Sequence, residues 1–270
     1  MPRKLRSNIA SVAAVLIPLC LGPADLNATD SSVDEQLYTY SVCYKAKPGK
    51  LRELRTFLTE TGSNLARAII AESNQVAWGV SQAVIPFGEE AECDFMVART
   101  YRGAPSELAA STDSSLKRAG IDRGEMSADF RSIARLVHTS LWRVVESVGE
   151  AEAGDFFTID RMKVSAMADW IDLETKVFKP LQDQRAKDGR IKAWAAYQRV
   201  SPKGAALAYN AATINVVGSL DQIPSPGGYR EAFAKVNPGL DIGAISKQVQ
   251  EARSIVFSSV YQMLVRVGGR

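Results

Sequence analysis

Alternating side chains mark the first patterned segment of the chain. From residue 37 to 44, large side chains take every second position, which is typical of a strand. The aligned residues are Tyr38, Tyr40, Val42 and Tyr44. From residue 51 the spacing becomes that of an amphipathic helix. Its apolar stripe consists of Leu51, Leu54, Phe57 and Leu58. The pattern therefore predicts a strand followed by a helix.

Two further strands and a second helical region follow. Strand patterns cover residues 76–85 and 94–101, and a helical pattern runs from 105 to 136. A final strand is predicted from residue 139 to 148, before Gly149. The predicted order is strand, helix, strand, strand, helix, strand, which is that of the split β-α-β, ferredoxin-like unit.

The same order begins again near residue 154 and ends with a helical pattern to Val256 and a strand from 258 to 267. Residues of the two halves match at two nearly equal spacings, which indicates a duplicated unit. At a spacing of 116 residues, the matched pairs are Trp78 with Trp194, Gln82 with Gln198, Pro86 with Pro202, and Gly88 with Gly204; at a spacing of 119, Trp142 matches Tyr261.

A duplicated ferredoxin-like unit predicts an α+β fold. Each sheet covers one face with its two helices, so its other face must meet solvent or a second sheet. We therefore expect two tandem βαββαβ repeats, at residues 37–149 and 155–268, packed sheet to sheet as a pseudo-dimeric α/β barrel. The alternative is two independent ferredoxin-like domains joined by the short linker between them.

Two cysteines lie close to neighbouring strands of the first repeat. In the ferredoxin-like order the first and third strands are antiparallel neighbours, and Cys43 and Cys93 fall at the same edge of the sheet. The topology favours a disulfide between them if their separation allows it. The alternative is two separate buried thiols.

The N-terminal region has the features of a secretory signal. A basic start, Arg3 to Arg6, precedes an apolar run from residue 9 to 22 that is short for a bilayer span. We predict a signal peptide at residues 1–28 and a disordered tether at 29–36, with export to the periplasm or the extracellular space. The alternative is an uncleaved N-terminal anchor.

The charge balance and the hydropathy of the chain limit the classes of partner that we expect. Without the signal, basic and acidic residues are nearly balanced, so no electrostatic footprint for nucleic acid is expected. No second apolar run reaches the roughly 20 residues of a spanning helix, so no integral membrane segment is expected after cleavage.

The second half resembles the NIPSNAP group of the dimeric α/β-barrel superfamily. The residues that carry this resemblance are Trp170, Val177-Phe-Lys-Pro-Leu181, Gly189-Arg-Ile-Lys-Ala-Trp194 and Pro202-Lys-Gly204. The first half is similar more loosely, through Trp78, Pro86 and Gly88. The resemblance implies the barrel fold, in a superfamily that includes cofactor-free monooxygenases, small isomerases and haem-binding chlorite dismutases. It implies no single activity, because one fold hosts many functions.

Metal and cofactor chemistry has little support in the sequence. His138 is the single histidine, and it is expected at the edge of a strand rather than on the second-half helix where related enzymes hold haem. We therefore expect no cofactor and no metal. No Gly-x-Ser-x-Gly stretch is present to indicate a serine nucleophile.

The predicted cleft between the two sheets is the best location for a site. Trp78, Gln82, Trp194 and Gln198 share the parity that we assign to this cleft. A mainly apolar cleft with a few polar groups is the usual form of a small-molecule site. The alternative is that the glutamines satisfy one another and the tryptophans are core. Asp160 is a weak candidate for acid–base chemistry, facing opposite to Arg161.

Three functions are compatible with these features. The first is binding of a small apolar or aromatic molecule in the cleft. The second is a cofactor-independent oxygenase or isomerase that uses a cleft residue such as Asp160. The third is a purely structural or assembly role, which a filled cleft would favour.

Overall fold

A computed structural model describes residues 36–105, 113–224 and 227–268. The predicted signal peptide and nearly all of the tether lie outside these residues. Gln36, at the end of that tether, hydrogen-bonds through its side chain to the carbonyl oxygen of Val144 at 2.7 Å. Across the described ranges, no helix is both long enough and apolar enough to cross a membrane.

Eight strands and eight α-helices make up the described chain. The strands are β1 Leu37–Ala46, β2 Gln75–Ile85, β3 Phe95–Arg102, β4 Ala134–Gly149, β5 Phe156–Val164, β6 Ala193–Ser201, β7 Ala211–Val217 and β8 Arg253–Gly268. The helices are α1 Leu51–Thr59, α2 Thr61–Ile70, α3 Asp113–Ala119, α4 Arg123–Ile133, α5 Met167–Leu173, α6 Lys179–Lys187, α7 Tyr229–Val236 and α8 Ile242–Ala252. Short 3₁₀ turns lie at Gly88–Glu90 and Leu220–Gln222.

The strands form one closed antiparallel barrel in the order β1-β3-β2-β8-β5-β7-β6-β4. The first four strands of the chain occupy one continuous arc, and the last four occupy the other. The arcs join where β2 pairs with β8 and where β4 pairs with β6. This strand order, with helices in the same chain, confirms the predicted α+β class and the dimeric α/β-barrel architecture. The sheets meet by hydrogen-bonded closure, so the eight described strands leave no free edge.

Helices cover the outside of the barrel in two separate apolar clusters. In the first half, Leu54 and Leu58 of α1 pack with Trp78 and Val80 of β2. In the second half, Trp170 and Leu181 pack with Trp194. A third cluster fills the barrel interior and includes Trp142, Phe157 and Tyr261. The core therefore has three parts, one inside the sheet and two outside it.

The first helical region of each half is interrupted at a corresponding place. In the first half, Glu60 separates α1 from α2. In the second half, a π-helical turn at Glu174–Phe178 separates α5 from α6, which carries Pro180 at its start. A proline lacks the backbone N–H needed for a regular helical bond, which accounts for the interruption before it. π-turns of this kind are frequent at functional sites.

Two predicted helices end earlier than the apolar pattern suggested. The helical assignment to Leu136 and Val256 is wrong, because β4 and β8 begin at Ala134 and Arg253. Ala134 pairs with Ala46, and Arg253 pairs with Val164. Backbone pairing across the barrel thus overrides local helical spacing at both places.

A disulfide joins Cys43 to Cys93, with a Cα–Cα distance of 5.2 Å. Cys43 lies in β1, and Cys93 ends the loop that follows the 3₁₀ turn after β2. Both residues are fully buried. The bond fixes this loop against the mouth of the barrel.

Candidate functional site

A large pocket lies outside the barrel, between the sheet and the helices of the second half. Its volume is about 560 Å³. The sheet supplies Trp194 and Asn215, the π-turn and α6 supply Glu174 and Arg185, and the start of α7 supplies Tyr229. We call this cavity the Glu174 pocket. Its volume falls within the roughly 300–1,000 Å³ typical of small-molecule sites.

Glu174 is unusual in this pocket because it is an acidic side chain in a fully buried position. The π-turn places it among apolar neighbours, and only 2% of its surface is exposed. Burial raises the pKa of its carboxyl from 4.5 to about 7, although Arg253 and Trp170 oppose that rise. Its Oε1 atom is buried without a hydrogen-bond partner among the described residues. The carboxyl therefore changes protonation near neutral pH and can bond to a ligand.

Two arginines, Arg185 and Arg253, line the same pocket. The Nη1 of Arg185 donates to Oε1 of Gln182 at 2.8 Å, and its guanidinium lies 5.8 Å from the centre of the Tyr229 ring. Burial lowers the pKa of Arg185, and its Nε has no hydrogen-bond acceptor among the described residues. Arg253 has an Nη1 that lies 4.0 Å from Oε1 of Glu174. The pocket thus combines three acidic side chains with three arginines, and Oε1 of Glu174 and Nε of Arg185 have no hydrogen-bond partner among the described residues.

Two of the predicted site residues meet at this pocket. Trp194 is buried against the helices and lines it. Asp160 lines it as well, on the outer face of β5, and accepts a hydrogen bond of 2.6 Å from the Ser258 hydroxyl. Asp160 and Arg161 face opposite sides of the sheet, as their alternation predicts, because Arg161 lines a cavity inside the barrel.

The strand face that we assigned to the cleft instead meets the helices, because the side chains of Trp78 and Trp194 pack in the outer apolar clusters. Trp78 packs under α1 and α2, so close to Gly62 that a Cβ there would lie 3.2 Å from the indole. Gln82 and Gln198 share the outward parity of the tryptophans, and neither lines the Glu174 pocket. They do not pair with each other: Gln82 faces Gln262 and Gln198 faces Arg143 in the strand register. Small residues such as Gly79 and Ala195 take inward positions at the interior cavity of about 130 Å³, which Trp78 and Trp194 also line.

A second outer pocket, of about 310 Å³, lies at the corresponding place in the first half. Its lining is mainly aromatic and aliphatic, with Tyr44, Phe57, Trp78 and Phe130. Its cations are Arg99 on the sheet and Arg131 on α4, and no carboxyl among the described residues lines it. The two halves therefore carry related pockets with different chemistry.

Side chains leave only small spaces inside the barrel. Two interior cavities have volumes of about 130 and 80 Å³. The smaller one is lined by the disulfide, His138, Arg161 and Tyr209. Neither approaches the size of a typical ligand pocket.

A network of charged and polar groups closes the mouth of the barrel at this smaller cavity. Oε2 of Glu92 pairs with Nη2 of Arg161 at 2.7 Å. Oε1 of Glu92 accepts from the Tyr209 hydroxyl at 2.8 Å and lies 3.0 Å from Nε2 of His138. Arg161 also donates to the Ser259 hydroxyl at 3.0 Å. Burial would raise the pKa of Glu92, but its bond to His138, the charge of Arg161 and its bond to Tyr209 lower it to about 2.

One sequence signal could have identified Glu174. The apolar stripe of this helical region consists of Trp170, Val177, Phe178 and Leu181. Glu174 and Arg185 fall on the same stripe. Charged side chains are almost never fully buried unless they are paired, so two of them on an apolar helix stripe mark an unusual position. No such signal marks Glu92, because it belongs to a short polar loop.

The closed barrel, with helices on its outer faces, defines the dimeric α/β-barrel class. Among solved structures, a candidate monooxygenase from Fusobacterium nucleatum subsp. nucleatum is similar, with a TM-score of 0.51 and 9% identity. The match covers 86% of this chain and 94% of that one. At this identity the likeness shows the fold alone.

Two other solved structures match over similar lengths. An anthrone oxidase-like protein has a TM-score of 0.49 at 15% identity, covering 87% of this chain and 94% of its own. A heme-binding protein from Thermus thermophilus has a TM-score of 0.47 at 10% identity, covering 85% of this chain and 91% of its own. No protein-family model matches the chain, and no curated protein matches it.

Haem, which some members of this fold class bind, does not fit the residues present. His138 lines a cavity of about 80 Å³, far below the roughly 300 Å³ at which pockets for larger ligands begin. The Glu174 pocket has the volume, but its described lining contains no histidine, cysteine or methionine. A histidine-ligated haem therefore has no place in the described residues.

Proposed function

We propose that the protein binds a small aromatic molecule with oxygen substituents in the Glu174 pocket. The observation that carries this proposal is a cavity of about 560 Å³ with a buried carboxyl and a buried guanidinium facing it. Buried polar atoms without partners are costly unless something bonds to them. A ligand with phenol or keto oxygens supplies those partners and stacks on Trp194 or Tyr229.

The proposed site differs from the sheet-to-sheet cleft expected from the sequence. It lies on the other face of the sheet, where the pocket is larger than either interior cavity. The ligand class remains small and aromatic, with polar substituents added because of Glu174 and Arg185.

A second candidate function is proton transfer, as in a cofactor-independent oxygenase or isomerase. The observation that favours it is the pKa of Glu174, raised to about 7 by burial. A general base works best when its pKa lies near the operating pH. Glu174 would remove a proton from an activated phenol or ketone, and Arg185 would stabilise the resulting oxyanion. Asp160 is the weaker candidate for this role, because its side chain is partly exposed and already accepts a hydrogen bond from Ser258.

Binding can be tested with a panel of naphthols, hydroxyquinolines and quinones, measured by isothermal titration calorimetry. Glu174→Gln and Arg185→Met should each weaken binding by about 10-fold or more, the loss expected from one buried hydrogen bond to a charged group. Glu251→Gln is the matched control, because Glu251 is exposed on α8 and its carboxylate lies 3.9 Å from Nζ of Lys247. Equal affinities in all three variants would sink the proposal.

The same panel distinguishes binding from catalysis. Oxygen consumption or substrate isomerisation that is lost in Glu174→Gln, while binding is only weakened, would favour the enzyme. Binding without turnover of any compound would favour the binding protein.

We also propose that the two halves arose by tandem duplication in a chain related to the NIPSNAP group. The proposal is supported by the equal strand order of the arcs, the matched helix interruptions and the matched inward aromatics Trp142 and Tyr261. Export is a further proposal, and it rests on the N-terminal sequence. N-terminal sequencing of the natural protein tests it, with a first residue near position 29 as the expected result.

A further inference from the structure

The disulfide and the single histidine lie together at the barrel mouth. A ring nitrogen of His138 and the sulfur atoms of Cys43 and Cys93 all lie within 4.8 Å of one another. Their side chains line the same interior cavity of about 80 Å³. β-sheet pairing brings them there, because Cys43 and His138 are register partners on β1 and β4. Two sulfurs and an imidazole are a ligand set preferred by zinc.

We propose that Cys43, Cys93 and His138 form a binding site for a thiophilic divalent ion such as Zn²⁺, which opens when the disulfide is reduced. The disulfide form offers no thiolate and leaves the site closed. The reduced form offers two thiolates and one imidazole, with the cavity providing room for a water as a fourth ligand. A tetrahedral Cys₂His site with one open position is an established zinc geometry.

The reducing step requires a dithiol as co-reactant. The dithiol gives two electrons and two protons to the S–S bond, which breaks to leave Cys43 and Cys93 as thiols, and the dithiol itself becomes a disulfide. Binding of the ion then displaces one proton from each thiol. Two protons leave and one divalent cation enters, so the net charge of the barrel mouth does not change.

The surroundings of His138 suit this role. Glu92 lies 3.0 Å from its Nε2, and a carboxylate bonded to one ring nitrogen typically orients a metal-bound histidine through the other. Glu92 is itself held by Arg161 and Tyr209. Arg161 also lines the cavity, and its charge is balanced by that contact. The proposal does not depend on the Glu174 pocket, which lies outside the barrel.

Cobalt titration of the full chain tests the proposal. The protein is reduced with a phosphine, freed of reductant under nitrogen, and titrated with Co²⁺, whose thiolate complexes are coloured. The expected result is one Co²⁺ per chain in the reduced protein, displaced by Zn²⁺, and none in the oxidised protein. Binding that is equal in both forms, or absent from folded reduced protein, would overturn the proposal.

Variants identify the ligands. Cys43→Ser with Cys93→Ser should abolish the thiolate absorption, and His138→Ala should weaken binding at least about 100-fold, more than a change outside the ligand set usually does. Leu136→Ala is the matched control for His138→Ala, because Leu136 lies exposed on the same strand. Unchanged affinity in His138→Ala would remove the histidine from the site and contradict the proposal.

Circular dichroism covers the case in which the reduced chain unfolds. Zn²⁺ is then expected to restore the spectrum of the reduced wild type and not that of the double cysteine variant. Failure of Zn²⁺ to restore the wild-type spectrum would count against the site as directly as a lack of cobalt binding.

Discussion

Glu92, which is partly buried, and Glu174, which is fully buried, are two carboxyl groups whose surroundings act on them in opposite directions. At the barrel mouth, Glu92 touches Arg161, Tyr209 and His138, and these contacts lower its pKa to about 2. In the outer pocket, Glu174 has a cation only at 4.0 Å, and burial raises its pKa to about 7. Burial acts on both groups, so the bonded partners make the difference. A carboxylate held by close charged and hydroxyl partners belongs to the frame of the molecule, and one whose cation lies 4.0 Å away is available for a ligand.

The two shifts have opposite consequences for stability. The pKa of Glu92 is lowered on folding, so its contribution is present above about pH 4.5 and is lost as the pH falls through about 2. The pKa of Glu174 is raised on folding, so its favourable contribution is present below about pH 4.5 and is lost as the pH rises through about 7. Each change in pKa corresponds to a free energy of about 3 kcal/mol.

The largest effect is expected from Glu92→Gln. This change leaves the Arg161 guanidinium, of which 5% is exposed, without its anion. Breaking a buried ion pair in this way costs about 3–5 kcal/mol. Urea denaturation at pH 7 measures the loss.

The double variant Glu92→Gln with Arg161→Met provides the control for Glu92→Gln. It removes both charges and should recover part of the lost stability. A loss below about 1 kcal/mol in the single variant would show that the pair is as weak as an exposed one.

An intermediate effect of opposite sign is expected from Glu174→Gln. The amide carries no charge, so the variant should not show the fall of about 3 kcal/mol between pH 4.5 and 8 that the wild type shows. At pH 8 the variant should be more stable than the wild type, and at pH 4 the two should be similar. Urea denaturation at both values makes the measurement. A variant less stable than the wild type at pH 8 would show that the carboxylate has a partner worth more than its burial costs.

The smallest effect is expected from Asp160→Asn. Asp160 is held by one exposed hydrogen bond from Ser258, which the amide can also accept. We expect the free energy of unfolding to change by less than about 0.5 kcal/mol, as for most surface substitutions. Ligand affinity at the Glu174 pocket should stay within a factor of two or three of wild type (about 0.5 kcal/mol). A large loss of binding would show that Asp160, rather than Glu174, is the acid that contacts the ligand.

Much of the fold could be predicted because its signals are local or repeated. The strand order followed from alternation and helical spacing, and matching of Trp142 with Tyr261 placed two aromatics that both lie inside the barrel. The neighbouring β1 and β3 brought Cys43 and Cys93 within bonding distance, as their predicted positions suggested. These features depend on sequence spacing and sheet topology alone.

The site was harder to predict. The alternation of side chains along a strand shows which residues share a face, but not which of the two faces meets the helices. Trp78 and Trp194 are large enough to fill either layer, and Trp142, Phe157 and Tyr261 already fill much of the interior, where β2 presents small residues such as Gly79. The side chains of Trp78 and Trp194 therefore pack in the outer apolar clusters, although both residues also line the interior cavity of about 130 Å³. Glu174 was missed because its π-turn and its burial arise from packing between α5, α6 and the sheet. Glu92 meets His138 and Arg161 only once the barrel closes.

Closure of the barrel within one chain has a further consequence for how its pockets can change. In a barrel built from two identical chains, symmetry repeats every substitution on both sides. In this chain, residue 174 can carry a carboxyl while the described lining of the aromatic pocket around Trp78 stays free of one. A substitution can then change the chemistry of one pocket and leave the other pocket unaltered.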